Sequence, residues 1–166
     1  MHLSLRTGIL AALVVCSTPA VQAATRKPSC TVRFYVEVDA TNSDPFTIPV
    51  KVGDPPRQIF HESAASISER QILSAHVYQT EDGKWAALFK LDPSGRLTLA
   101  NVSSSNRGRS LITYVGNAKV ARVLQDDILI DRPVLDGFVQ IRGLLPQEAV
   151  QIQKKFPPLK PADPGR

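Results

Sequence analysis

His61 and Glu62 are adjacent in this 166-residue chain, and their types suit acid–base chemistry. An imidazole titrates near neutrality, and a neighbouring carboxylate can orient it or share its proton. A zinc protease built on such a pair needs a second histidine four residues after the first, but that position is Ala65. His76, the other histidine beyond the first residues, falls in an apolar alternating run. A small hydrolase using His61 and Glu62 would therefore need a distant third group, and no metal site is expected. Asp126-Asp127 is a second pairing of carboxylates, but neighbours in an irregular segment ordinarily cap a turn or stay solvated. Ser110 follows Gly108-Arg109 and lacks the Gly-x-Ser-x-Gly frame of a nucleophile elbow. No glycine-rich phosphate loop occurs. The residues predict a non-enzymatic protein, with no catalytic residue and no cofactor.

Charge gives a weaker signal. Twenty Lys and Arg against 15 Asp and Glu make a formal +5, far short of the dense basic stripe of a nucleic-acid binder. Arg107, Arg109, Lys119 and Arg122 nevertheless gather around one predicted hairpin. They form a candidate basic patch for an acidic polypeptide or an anionic envelope component, against the ordinary reading of a solvated sheet face.

The first residues point to a compartment. Arg6 precedes the apolar run Ile9 to Val15, and small residues lead to Val21-Gln22-Ala23. That is the pattern of a cleaved secretory leader, expected to be cut after Ala23 and to deliver a soluble periplasmic or secreted protein. The run is too short for a membrane span, which takes roughly 20 apolar residues. A lipoprotein signal at Cys16 is disfavoured by bulky Val15 where processing needs a small residue. Removing the leader leaves Cys30 as the single thiol, so the fold is held without an internal disulfide. Cys30 is then either buried or paired with a second chain.

The elements that must position these residues read as follows. Thr31 to Asp39 alternates, with Val32, Phe34, Val36 and Val38 on one face and Arg33, Tyr35 and Glu37 on the other. Phe46 to Val52, interrupted by Pro49, reads as an edge strand, and Arg57 to Phe60 as another short strand. A helical turn is expected near Ser68. Residues 72–79 and 85–91 flank an Asp82-Gly83 turn and predict a hairpin, with Trp85, Ala87, Phe89 and Leu91 on one face. Asp92-Pro93 starts a helix running to Ser105, with Leu97, Ala100 and Val102 as its buried stripe. Asn106-Arg107-Gly108 stops it. Residues 110–115 and 118–124 predict a second hairpin turning at Gly116-Asn117. After an irregular segment, Phe138 to Ile141 is the last strand. Pro146 then opens a helix with Leu145, Ala149, Ile152 and Phe156 on one face.

The order of these pieces from residue 67 to 156 resembles the first periplasmic head subdomain of SecD, a subunit of the bacterial protein-export machinery. The matching motifs are Asn106-Arg107-Gly108, the hairpin Ser110 to Val120, the run Gly137-Phe138-Val139-Gln140-Ile141-Arg142-Gly143, and Glu148-Ala149. The family has a threonine cap where this chain has Leu145, and an Ala-Pro where it has Arg122-Val123. The resemblance implies an α+β fold, a mainly antiparallel sheet with two helices packed on one face, and contact with polypeptides in the periplasm. The expected division is a signal peptide (1–23), a strand-rich extension (24–66), the head-like domain (67–156) and a proline-rich disordered tail (157–166). The expected role is an exported binding or scaffold module. The alternatives are the His61/Glu62 hydrolase and a structural envelope protein that dimerises through its first strand or Cys30.

Overall fold

The structure, a computed structural model, describes residues 30–39, 45–117, 120–124 and 127–159. The expected leader, Lys119 and Asp126 lie outside these residues. Nine strands and two α-helices follow in the order β1 (Cys30–Val38), β2 (Thr47–Val52), β3 (Arg57–Glu62), β4 (Ile72–Gln79), β5 (Trp85–Leu91), α1 (Pro93–Ser105), β6 (Ser110–Asn117), β7 (Ala121–Val123), β8 (Ile128–Leu129), β9 (Phe138–Leu144) and α2 (Pro146–Lys155). A single 3-10 turn, Glu69–Gln71, precedes β4. The class is α+β, and every strand-to-strand ladder is antiparallel. The strands divide into two sheets. One runs β2-β3-β1-β6-β7 with β8 also on β6, and the other runs β4-β5-β9. Among the described residues no helix is long and apolar enough to cross a membrane.

The two sheets and both helices share one core. Phe34 of β1 meets Phe89 of β5 edge-on at 6.2 Å between ring centroids, and Phe89 meets Phe156 at 5.9 Å. Both are favoured T-shaped geometries. Val32, Phe34 and Val36 enter this core, as the alternation of β1 predicts. The other face of β1 is not left to solvent, however. Tyr35 is buried in a second small cluster with Val52, Ile59 and Ile112, because β2 and β3 bring apolar residues to that face. β2 is an edge strand, where the missing N–H of Pro49 breaks no second ladder. β3 extends two residues past Phe60, to Glu62.

Helix α1 keeps its predicted bounds but turns a different face inward. The Asp92 carboxylate accepts from the Gly95 N–H at 2.6 Å, and Pro93 fills the first position. Its buried residues are Gly95, Leu99 and Ser103, four apart, whereas Leu97 is 64% exposed. Gly95 sets the rotation: a Cβ there would lie 2.9 Å from the Gln71 Cβ and 3.1 Å from the Leu91 Cβ. This face packs closely on the turn before β4 and on the end of β5.

In α2, Ala149, Ile152 and Phe156 are buried as predicted, but Leu145 is exposed. Leu145 is the extended residue before the helix and has no side-chain acceptor to cap it. Glu148 supplies half of the missing cap, accepting the Leu145 N–H at 2.8 Å.

The second hairpin turns two residues later than expected. Gly116 still pairs with Ala121. The reversal runs from Asn117 to Val120, where Val120 C=O accepts from Asn117 N–H and Asn117 Oδ1 accepts from Val120 N–H, both at 2.9 Å. A side chain on Gly116 would collide with the backbone of Val120 and Ala121, which explains the glycine. Residues 157–159, expected to be disordered, instead lie along β4. Ala75 N–H donates to Pro157 C=O at 2.9 Å, and Leu159 N–H donates to Ala75 C=O at 3.3 Å.

Candidate functional site

The His61-Glu62 pair does not assemble a reactive centre. His61 is 1% exposed and packs tilted against Tyr35 and edge-on against Tyr114, while Glu62, next along the strand, points out to solvent. The Glu62 carbonyl accepts at 2.6 Å, so His61 Nδ1 carries the hydrogen. Nε2 is then the acceptor for the Tyr114 hydroxyl at 2.8 Å. Burial pushes the His61 pKa below its ordinary value, against a smaller upward pull from the Glu62 carbonyl. Burial also pushes the Tyr114 phenol up, so it stays a donor. The result is a neutral imidazole fixed in one tautomer as a core strut. His76 lies on the outer surface of β4, stacked on Tyr78.

Ser110 and Asp127 come together, but as a clamp. The Ser110 hydroxyl donates to Asp127 Oδ2 at 2.6 Å, Arg57 reaches both of them, and the Ser110 N–H donates to Glu37 at 2.8 Å. Burial raises the Asp127 pKa, but the hydrogen bonds from Ser110 and Arg57 and the charge of Arg57 outweigh it, leaving a net depression. An ionised carboxylate saturated in this way is a poor base. It ties β3 to β6 and to the residue before β8.

The basic hairpin is also spent internally. Arg107 donates to the Asp131 carbonyl. Arg109 pairs with the Asp39 carboxylate at 2.6 Å and donates to the Glu37 carbonyl. Arg122 forms a two-pronged pair with Glu148, both contacts at 2.7 Å, and reaches the Gly143 carbonyl at 2.8 Å. The described members of the predicted patch are therefore structural ties across separate elements, and their guanidiniums are not gathered for a ligand. Cys30 is buried, and its thiol is pushed up to about 11 mainly by desolvation, so it is held in the unreactive form. Trp85 packs against the core.

A different place offers room. A cleft of about 650 Å3 opens where the sheets separate, between β8 and the outer edge of β9. Leu99 and Val102 of α1 and Leu111 of β6 line its inner part, Ile128 and Ile130 one wall, and Val139 the other. Arg132 and Arg142 reach it from the exposed rim. Each wall is an edge strand: among the described residues β8 pairs only with β6, and β9 only with β5. No sequence motif marks this cleft: both walls come from one irregular-looking stretch, 127–142, which encloses space only where α1 and β6 back it. The one local signal is the apolar run Ile128-Leu129-Ile130 inside a segment that otherwise reads as irregular.

No protein-family profile and no curated protein matches the chain. Solved structures do. One, of the membrane component SecDF that enhances protein export, aligns at 13% identity and a TM-score of 0.52 over 75% of this chain and 60% of that one. Another, SecDF in a super-membrane-facing form, aligns at 14% identity and 0.52 over 75% of this chain and 18% of that one. The chain thus spans less than two thirds of either SecDF chain. Similarity at this level is one of architecture, and the fold of this protein is a SecD-head-like α+β fold.

Proposed function

We propose that the protein is an exported, non-enzymatic binding module that holds polypeptide in the cleft between β8 and β9. The cleft itself carries this reading: a concave, apolar-lined space of about 650 Å3 with polar groups at its rim is the common form of a binding site. Support for export comes from the leader-like sequence ahead of Ala24. Sharing a fold with SecDF supports contact with polypeptide chains, as an analogy of architecture. The hydrolase alternative gains nothing from the geometry, since His61 is sealed beneath Tyr35 and Tyr114.

The test is fluorescence anisotropy with a labelled, permanently unfolded polypeptide, using the chain as purified from the cell envelope. Saturable binding is expected, and Val102→Arg should weaken it by about tenfold or more through bulk and charge in the cleft. Equal binding by the Val102 variant would show that the cleft is not the site. N-terminal sequencing of the same material should begin at Ala24; an intact Met1 would remove the export part.

A further inference from the structure

The open edge of β9 has a feature that narrows how the cleft would be filled. In an antiparallel pair, alternate residues direct both backbone polar groups at the partner strand, and those between direct them away. The Leu91 N–H donates to the Gly137 carbonyl at 2.9 Å. The register then continues through Phe89 opposite Val139 and Ala87 opposite Ile141. The intervening residues Phe138, Gln140 and Arg142 therefore turn their N–H and C=O groups away from β5. The Phe138 N–H is taken by the Asp136 carboxylate at 3.0 Å. The Phe138 carbonyl and both main-chain groups of Gln140 and Arg142 have no backbone partner among the described residues, and these residues line the cleft.

We infer that the occupant is an extended polypeptide segment that binds by adding a strand to β9, a refinement that rests on the polypeptide-binding reading above. Donors and acceptors repeating every second residue are matched by another main chain in β conformation. Side chains on one face of such a strand would meet the apolar lining from Leu99, Val102 and Ile128, and those on the other would face solvent. The same sheet already takes an extended segment in this way at its opposite edge, where Pro157 to Leu159 bond to Ala75 of β4. That segment lies at the far side of the sheet, two strands from β9. The rim selects no charge, since Asp54 and Asp131 line it as well as Arg132 and Arg142. Recognition would therefore rest on backbone and apolar pattern, which suits varied sequences.

The probe is a labelled peptide of about nine residues, a typical strand length, alternating valine with threonine or lysine. Two further versions are N-methylated along one edge or the other. Binding is expected for the parent and for one methylated version, with the other weakened by about tenfold or more. Gln140→Pro removes an N–H that points away from β5, so thermal stability should hold while binding falls by a similar factor. Gln140→Ala, which also loses the Gln140 side-chain contact to Tyr78, should bind like the native chain. If Gln140→Pro and both methylated peptides bind fully while Val102→Arg does not, strand addition is wrong and the cleft reading survives. If no peptide binds the native chain, both fail. Sedimentation showing a dimer that excludes the peptide would assign β9 to a second copy and overturn the proposal.

Discussion

Arg122 Nε and Nη2 each donate to one oxygen of the Glu148 carboxylate at 2.7 Å, so one planar guanidinium grips one carboxylate at two points. The pair joins β7 to the first turn of α2, and Glu148 also closes the helix start through the Leu145 N–H. The Glu148 side chain is 9% exposed and that of Arg122 is 35%. Arg122→Ala should strand a buried carboxylate and lower stability by about 2–3 kcal/mol, below the full cost of breaking a buried pair because the arginine is partly solvated. Urea unfolding measures it. The double variant with Glu148→Gln should recover part of the loss, and strict additivity would show that the two residues are not coupled.

His61 predicts a pH dependence with a definite sign. Its folded-state pKa lies below the ordinary 6.5 because burial disfavours the imidazolium. The unfolded chain therefore takes up a proton before the folded one does. Stability from this group is complete above about pH 6.5 and is lost as pH falls through the folded value. Melting temperatures of the native chain should decline below that point, and His61→Gln should flatten the decline. Parallel curves for the two proteins would show that another group titrates there.

Thr113 sits between Leu111 and Val115 on the core face of β6, and its hydroxyl is buried with no hydrogen-bond partner among the described residues. Thr113→Val replaces the hydroxyl with a methyl of similar shape and should stabilise the protein by about 1 kcal/mol. Thermal or urea melts are sufficient to see it, and a loss of stability would mean that the hydroxyl has a partner.

Cys30 should resist modification while the chain is folded. With its pKa near 11 instead of 9.0, its thiolate fraction at neutral pH is lower by about a hundredfold, and burial blocks access as well. A disulfide reagent should react slowly in buffer and rapidly in denaturant. Rapid labelling of the folded chain would reopen pairing through this residue.

What the sequence reveals here follows from periodicity and punctuation. β4, β5, α1 and α2 keep their expected bounds because alternation, an Asp-Pro start and an Asn-x-Gly stop are local signals. The inward face of α1 was not legible. Leu97 and Leu99 are equal candidates until Gly95 is seen against Gln71, a contact made only in three dimensions. Tyr35 misleads in a similar way, since alternation with charged neighbours implies a wet face until β2 and β3 supply Val52 and Ile59. Two-residue β8 is too short to show a period. Candidate sites fared worst. Adjacency in sequence suggested a basic cluster, but Arg107, Arg109 and Arg122 each leave for a different partner. The walls of the cleft come from one stretch, 127–142, but its floor needs Leu99, Val102 and Leu111 from elsewhere, and that meeting is made only in three dimensions.

The run Pro157 to Leu159 beside Ala75 bears on how copies of this molecule could meet. The middle of one flank of the three-stranded sheet is covered by residues 157–159, so stacking copies head to tail through that flank is obstructed. A meeting of two β9 strands would be related by a two-fold axis and would stop at a pair. Through this sheet the architecture favours a closed couple over a fibre.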